Sequence, residues 1–367
     1  MRKWRVPQPI EPPPRQAALF RRRLQAWYRE NQRDLPWRRR RDPYRIWLSE
    51  VMLQQTRVAA VLPYYRRFLK KFPDVRALAR APLEDVLKHW AGLGYYNRAR
   101  NLHAAAKEIV ASHRGRFPRD YEAALALPGI GRYSAAAILS IAYGAPLAVL
   151  DGNVARVLAR LGAVRGDLRA PRRWRRLAET AQSLLAAQAP GDWNQAMMEL
   201  GATVCTPRAP RCDACPIARW CRAYALGIAD KLPAKRRKRA AVKVRIAAAV
   251  LLDARGRTLL VKGPGRHDSV LFSRMWQFPA VEVSRDAAAE LAAHLSESLG
   301  FRGDGLVALA PASHSVTYRN VTLLPFLARI RRLPSRQEGR AVLLQEVPRL
   351  AVSSATRKIA SAAMKFR

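Results

Sequence analysis

What this sequence has least of is negative charge: 27 Asp and Glu stand against 67 Lys and Arg in 367 residues, a formal balance of +40. A charge so far from zero costs self-repulsion that a polyanion would relieve, so a polyanionic partner is expected, with a merely solvated basic surface as the plainer alternative. Long apolar runs are missing too. No stretch approaches the roughly 20 residues that a helix needs to span a bilayer. The charge is spread along the whole chain, which favours nucleic acid over a membrane surface. The first fifteen residues lack the apolar core of a secretory signal; Pro-rich and charged, they read as a disordered arm of a chain that stays in a reducing cytosol. No internal repeat is present.

With 49% hydrophobic residues the chain is nevertheless a folded protein and not a basic tail. Its length exceeds the roughly 250 to 300 residues at which one core stops growing, so two domains and a linker are expected. From about Gln16 to Ala225 it reads as helices of one to two dozen residues, broken at Asp42-Pro43, Ala81-Pro82, Pro128-Gly129, Gly144-Ala145-Pro146 and Asp151-Gly152-Asn153. The composition shifts at Lys231 to Arg239, which is basic and has no apolar periodicity, as suits a solvated linker touching phosphates. Beyond it Val242–Leu252, Thr258–Val261, Ser315–Leu324 and Pro325–Arg329 are β-branched or alternating and Asp286–Leu299 is helical, so this part is α+β.

Cysteine is scarce but concentrated. Cys205, Cys212, Cys215 and Cys221, the only four, lie within 17 residues as C-x6-C-x2-C-x5-C. In a reducing compartment thiols gathered in this way point to a shared metal. Four thiolates suit tetrahedral zinc or a cubane iron-sulfur cluster, and spacing alone does not separate them from each other or rule out free thiols. Upstream, Leu127-Pro128-Gly129-Ile130-Gly131 joins the apolar segment Tyr121 to Leu127 to a small-residue helix, Tyr133 to Tyr143. Its free N–H groups and the following helix N-terminus make it an anion site, or else an ordinary glycine-capped turn.

Two carboxylates suit bond-breaking chemistry. Asp42-Pro43 caps and starts a helix expected to run to Arg57, so Glu50 lies two turns inside, beyond the reach of the helix dipole. Trp47, Leu53 and Gln54 flank it at helical spacing, a partly apolar face that raises a carboxyl pKa toward neutrality as a general acid requires; an exposed glutamate on a polar edge is the alternative. Asp151, before Gly152-Asn153 and a helix Val154 to Leu161, serves as a helix cap, as a second functional carboxylate, or as both. Cleaving a purine N-glycosidic bond needs one acid for the leaving base and one carboxylate for the sugar cation.

The longer motifs carry a resemblance. Leu35-Pro36-Trp37-Arg38, Trp47 to Thr56, Gly92 to His103, Leu150-Asp151-Gly152-Asn153-Val154 and Asn194 to Gly201 resemble the adenine DNA glycosylase (MutY) family of the endonuclease III superfamily, over essentially all of residues 16 to 367. The resemblance implies a mainly α helix-hairpin-helix glycosylase domain at 16–227, with the hairpin at about 121–143 and a [4Fe-4S] loop at 205–221. A basic linker at 228–241 and an α+β Nudix-like domain at 242–367 follow. By position it makes Glu50 the acid that protonates adenine N7 and Asp151 the carboxylate that stabilises the sugar cation and helps deliver water. Arg38 and Glu199 contact a flipped adenine; Gln54, Gln55 and Tyr95 wedge into the duplex, with Leu53 and Asn153 also against DNA. Gly129, Gly131 and Tyr133 line the hairpin on the phosphates, and Arg208, Arg211, Arg219 and Arg222 turn the cysteine loop the same way. Tyr95 and Tyr96 as plain core aromatics are the alternative.

Members of the superfamily that also nick the strand carry a lysine where this chain has Tyr133, which implies a monofunctional enzyme with water as nucleophile. The implied partner is double-stranded DNA with adenine opposite 8-oxoguanine or guanine, bound by a monomer near a bacterial-type nucleoid. Met275-Trp276-Gln277-Phe278-Pro279 resembles the start of the Nudix-like domain. That domain is not expected to be a hydrolase, because Ala288 to Leu299 offers only Glu290 and Glu297 for Mg2+. In its lesion-reading loop, Ser313-His314-Ser315-Val316-Thr317-Tyr318, Val316 and Tyr318 replace the usual aromatic and histidine while Thr317 keeps the hydroxyl, so weaker discrimination of 8-oxoguanine from guanine is expected. The rivals are an endonuclease III-like glycosylase and lyase for oxidised pyrimidines, and a non-catalytic damage-binding protein.

Overall fold

The computed structural model describes residues 14–234, 240–262, 275–301, 305–316, 318–335 and 339–366. Most of the expected N-terminal arm, the core of the basic linker at 235–239 and Thr317 lie outside the described residues. The chain divides into two compact units, the described parts of Met1–Arg80 with Asn101–Arg237 and of Ala81–Arg100 with Lys238–Arg367. Residues 81–100, placed by sequence in the helical domain, thus cluster with the C-terminal part.

The helices run α1 (Pro14–Asn31), α2 (Pro43–Leu53), α3 (Val58–Lys71), α4 (Val75–Arg80), α5 (Leu83–Trp90), α6 (Asn97–Ser112), α7 (Tyr121–Ala126), α8 (Arg132–Tyr143), α9 (Gly152–Leu161), α10 (Pro171–Ser183), α11 (Pro190–Thr203) and α12 (Arg222–Ala225). Asp42 caps α2 by accepting the Arg45 N–H at 2.9 Å, and Pro43 holds the first helical position. The helix stops at Leu53, four residues before the expected Arg57. Gln54 turns extended and Gln55 takes a left-handed φ of +58°, so the chain reverses before α3. Asp120 caps α7 through the Ala123 N–H. The small buried residues Ala135, Ala136 and Ala137 let α8 lie close against α2, and α8 ends on the left-handed Gly144. α11 packs on α1, α8 and α9, so the residues it carries face the middle of the helical bundle.

In the second unit β1 (Val242–Leu252), β2 (Arg257–Lys262), β3 (Trp276–Gln277), β4 (Ala280–Glu282), α13 (Ala287–Leu299), β5 (Val307–Ala308), β6 (Ala312–Val316), β7 (Arg319–Arg329), β8 (Gly339–Leu343) and α14 (Ser354–Lys365) form a mixed sheet with helices. β1 and β7 pair in parallel over their whole length, and the other ladders are antiparallel. Alternation along β1 sends Ala247, Ala249 and Leu251 toward Leu291 and Leu295 of α13. Val244, Ile246, Ala248 and Val250 pack with Ile359, Ala360 and Ala363 of α14 on the other face. The strand expected at Ser315–Leu324 is a hairpin instead, with β6 ending at Val316 and β7 starting at Arg319. β7 also runs through Pro325, where a break was expected. Pro325 lies where β6 hands over to β5, opposite Leu309; it cannot return a bond from its own nitrogen, but its carbonyl accepts from Leu309 N–H at 2.8 Å and carries the pairing across the change of neighbour.

Candidate active site

Glu50, in the last turns of α2, is buried rather than exposed on a polar edge. Burial pushes its carboxyl up to about 7; a hydrogen bond with the Tyr133 hydroxyl pulls it back, the Asp151 charge raises it further and Arg38 lowers it. Glu50 is therefore about half protonated at neutral pH. Tyr133, in the first turn of α8, is held well above the usual phenol range, by burial first and then by the Glu50 and Asp151 charges. Its hydroxyl also lies 3.3 Å from Met198 Sδ. With one hydrogen, the phenol donates to an ionised Glu50, or accepts from a protonated Glu50 while donating to the sulfur.

Asp151 is the N-cap of α9, accepting Val154 N–H at 2.7 Å and Asn153 Nδ2 at 3.2 Å. Burial nevertheless raises its pKa, and those two hydrogen bonds and Arg156 only partly offset the shift. Of the two readings of Asp151, the structure shows the cap, and its burial is compatible with the second. Asn153 Oδ1 accepts Arg156 Nη2 at 2.8 Å, and Arg156 Nε reaches the Cys205 carbonyl at 2.8 Å, so a hydrogen-bonded chain leads from Asp151 to the cysteine loop. Asn194 fixes the approach to Asp151: its Oδ1 accepts Val149 N–H at 3.2 Å, and its Nδ2 donates to Leu147 O at 2.7 Å and Ser140 Oγ at 2.8 Å. Burial alone would favour a neutral carboxyl in both Glu50 and Asp151, and close like charges split such a pair into one acid and one base.

Arg38 and Glu199 meet, with a partner that sequence reasoning missed. Arg33 donates from Nε to Glu199 Oε1 at 2.7 Å and from Nη2 to Oε2 at 2.8 Å, and Arg38 Nη2 donates to Oε2 at 2.8 Å. Burial would raise Glu199, but these hydrogen bonds hold it at about 2. The carboxylate is ionised and its oxygens are well occupied. Nothing in the run Asn31-Gln32-Arg33-Asp34 singles out Arg33; its partner lies 166 residues away.

The hairpin turn assigns its two glycines different tasks. Gly129 has φ +76°, and a Cβ there would sit 2.6 Å from Asn101 Cβ, so both conformation and space require glycine. Gly131 is extended and caps α8, with open space where a Cβ would be. Gln54 Nε2 lies 3.4 Å from Ser134 Oγ and Leu53 is half-buried, while Gln55 stands exposed on its left-handed backbone. In the other unit, Tyr95 is 42% exposed with φ +49°, which removes the core-aromatic alternative for it. Arg98 lies over its ring at 5.3 Å and over that of Trp90 at 5.4 Å, donating to the Gly94 carbonyl at 3.1 Å. Left-handed non-glycine residues cluster at functional sites because the surrounding fold must hold them there.

The four cysteines converge. Burial comes first in raising Cys212, Cys215 (to about 12) and Cys221, and the Cys205 charge acts on all three. N–H donors face the sulfurs: Arg160 Nη1 to Cys205 Sγ at 3.2 Å, the Ile217 amide to Cys215, and the Ala223 and Tyr224 amides to Cys221. Arg160 Nη2 is buried without a partner. Among the described residues no three His, Cys, Asp or Glu side chains stand close enough to share a single ion. Thiols in mutual electrostatic reach with N–H donors around them suit a set of metal-bound thiolates, of zinc or of an iron-sulfur cluster.

In the second unit Ser313, His314 and Tyr318 gather on the β6–β7 hairpin. Lys358 Nζ donates to the Ser313 carbonyl at 2.5 Å, Arg319 lies over the Tyr318 ring at 5.8 Å, and burial, then Lys358, lowers His314. On α13 Glu290 accepts from the Ser284 and Arg285 N–H groups and so serves the helix start. No described helix is long and apolar enough to cross a membrane.

Residues 48–182 match the family described as HhH-GPD superfamily base excision DNA repair protein. An adenine DNA glycosylase of Rattus norvegicus is 48% identical over 214 residues, 56% of this chain and 42% of that protein. One from Buchnera aphidicola subsp. Acyrthosiphon pisum is 38% identical over 222 residues, 60% of this chain and 63% of its own length. The match thus spans less than two thirds of either relative. Among solved structures, a thermostable thymine-DNA glycosylase is similar, with 30% identity and a TM-score of 0.52, over 58% of this chain and 98% of that one.

Proposed function

Because the chain belongs, through its helical domain, to the HhH-GPD superfamily of base excision DNA repair proteins, we propose that it is a monofunctional adenine DNA glycosylase. It hydrolyses the N-glycosidic bond of adenine opposite 8-oxoguanine or guanine in duplex DNA and leaves an abasic site. The observation that carries this is Glu50, buried, poised near pH 7 and hydrogen-bonded to Tyr133 beside Asp151. A protonated Glu50 delivers its proton to purine N7, the atom whose protonation makes the base a leaving group. Ionised Asp151, held by the α9 N–H groups, faces the positive charge that develops on the sugar and orients the attacking water. Tyr133 has no amine, so no Schiff base forms with the sugar and no strand scission follows.

Arg38 and Glu199, braced by Arg33, contact the flipped base, while Leu53, Gln54, Gln55 and Tyr95 fill the stack it leaves. Asn153 holds Asp151 in place. Gly131 lets a phosphate approach the α8 N-terminus, and Gly129 shapes the turn that presents it. Cys205, Cys212, Cys215 and Cys221 hold a [4Fe-4S] cluster that shapes the basic loop and takes no part in base release. The division into 16–227, 228–241 and 242–367 is retained as functional modules, the last being Nudix-like; Ser313, His314, Thr317 and Tyr318 read the base opposite adenine with reduced discrimination.

Base identity is not set by the fold, since a thymine-DNA glycosylase has a similar structure. The test is a duplex panel under single-turnover conditions. Adenine release from 8-oxoguanine:adenine with no borohydride-trapped adduct is expected. Release of oxidised pyrimidines with a trapped adduct at the same rate would establish the lyase rival, and binding without release the non-catalytic one.

A further inference from the structure

Arg160, in the last turn of α9, is 1% exposed, yet among the described residues it forms no ion pair with a carboxylate. Its guanidinium fork spans two segments. Nη1 donates to Cys205 Sγ at 3.2 Å and to the Thr206 carbonyl at 2.8 Å, while Nε donates to the Leu232 carbonyl at 2.9 Å. Its own carbonyl accepts from the Cys221 thiol at 3.5 Å. Leu232, Ala229 and Ala223 meanwhile form a small core against which Cys212, Cys221, Ile228 and Ala163 pack. The cysteine loop and the segment Ile228–Leu232 therefore share one apolar cluster and one buried cation. An unpaired buried cation is costly, and the thiolate charge is the compensation within reach.

We propose that Arg160 is a clasp through which the charge of the four-cysteine cluster fixes Ile228–Leu232, the point at which the chain leaves the helical unit for the sheet unit. The inference rests on the [4Fe-4S] reading. With the thiolates ligated, their charge holds one arm of the guanidinium, and the rigid fork then aims Nε at Leu232. Loss of the cluster loosens the root of the connection between catalytic and sheet modules, a path separate from the hydrogen-bonded chain that runs from Cys205 through Arg156 and Asn153 to Asp151. Arg160 is thus a positioning residue.

The test uses the full-length, cluster-loaded protein, with iron and acid-labile sulfide per chain and hydrogen exchange at residues 228–234 as readouts. Wild type is expected to hold about four iron atoms, as a [4Fe-4S] cluster requires. Arg160→Lys keeps the charge but loses the fork, so iron stays while exchange at 228–234 speeds up by at least about tenfold, the effect of losing a buried charged hydrogen bond. Stripping iron from wild type gives the same rise. Arg160→Met loses iron as well; if it does not fold, the lysine variant and the stripped wild type decide. Iron-loaded wild type whose exchange at 228–234 responds neither to Arg160→Lys nor to stripping overturns the clasp alone. Iron-free wild type overturns the cluster reading and the clasp with it.

Discussion

The two units bury carboxylates for different purposes. In the helical unit Glu50 and Glu199 are buried and pair mainly with side chains, the Tyr133 hydroxyl and the guanidinium groups of Arg33 and Arg38, while buried Asn194, Arg156 and Arg160 brace backbone groups between elements. In the sheet unit the buried carboxylate serves the backbone: Asp253 accepts from the Arg255 and Arg257 N–H groups in the β1–β2 turn, much as buried Ser353 caps α14 through the Thr356 N–H. Burying a carboxyl without a backbone group to hold is unfavourable, so Glu50 is the position in the helical unit that most calls for a functional reason. The sheet contributes a rigid platform for a hairpin.

That contrast is exposed most directly at Glu50. Glu50→Gln should lower single-turnover adenine release by at least about a thousandfold while leaving duplex affinity within about threefold. A variant within tenfold of wild type would break the comparison. The same substitution carries a stability signature. Burial raises Glu50 from 4.5 to about 7, so the stability it contributes is full below about 4.5 and lost as pH rises through about 7. Neutral Gln should therefore raise Tm relative to wild type at pH 8 more than at pH 5. Next is Asp151. Asp151→Asn keeps the α9 cap but removes the charge and should cost about a hundredfold in rate with Tm nearly unchanged, whereas Asp151→Ala should also lose about 1 kcal/mol of stability.

The glycines sharpen the contrast between structural and functional roles within one turn. Gly129→Ala, which meets Asn101 on a left-handed backbone, should destabilise by about 1 to 3 kcal/mol in chemical denaturation. Gly131→Ala should leave stability alone and weaken duplex binding. The smallest effect is expected in the sheet unit. Tyr318→Phe should change the ratio of adenine release from 8-oxoguanine and guanine mispairs by less than about tenfold, with the guanine mispair rate unaltered. A large loss from both mispairs would give the hairpin a catalytic weight that the comparison denies it.

Much of this was legible in sequence where the signal is local. Asp42-Pro43, Asp151-Gly152 and Gly144 announce their caps, and the alternation of Val242–Leu252 announces β1. What was not legible depends on distant partners or on backbone reversal. Arg33 finds Glu199 across 166 residues, and Arg160 finds Leu232 across 72. The end of α2 at Leu53 depends on a left-handed Gln55 that no propensity favours. β7 passes through Pro325 only because two neighbours change over there. Tyr133 was noted for the amine it lacks; its hydroxyl on Glu50 emerges only once α8 packs on α2.

The central claim is that a protonated, buried Glu50 beside an ionised Asp151 releases adenine, and the most direct measurement is the pH dependence of single-turnover adenine release from an 8-oxoguanine:adenine duplex. With Glu50 at about 7 and Asp151 raised from its usual range, the pair predicts a plateau below neutrality, half the plateau rate near pH 7 and a tenfold fall per pH unit above it. An acid limb where Asp151 takes up its proton completes the profile, the two limbs belonging to the coupled pair. In Glu50→Gln the alkaline limb disappears along with the activity. A rate that rises through pH 7, or stays level to pH 9, would contradict the account.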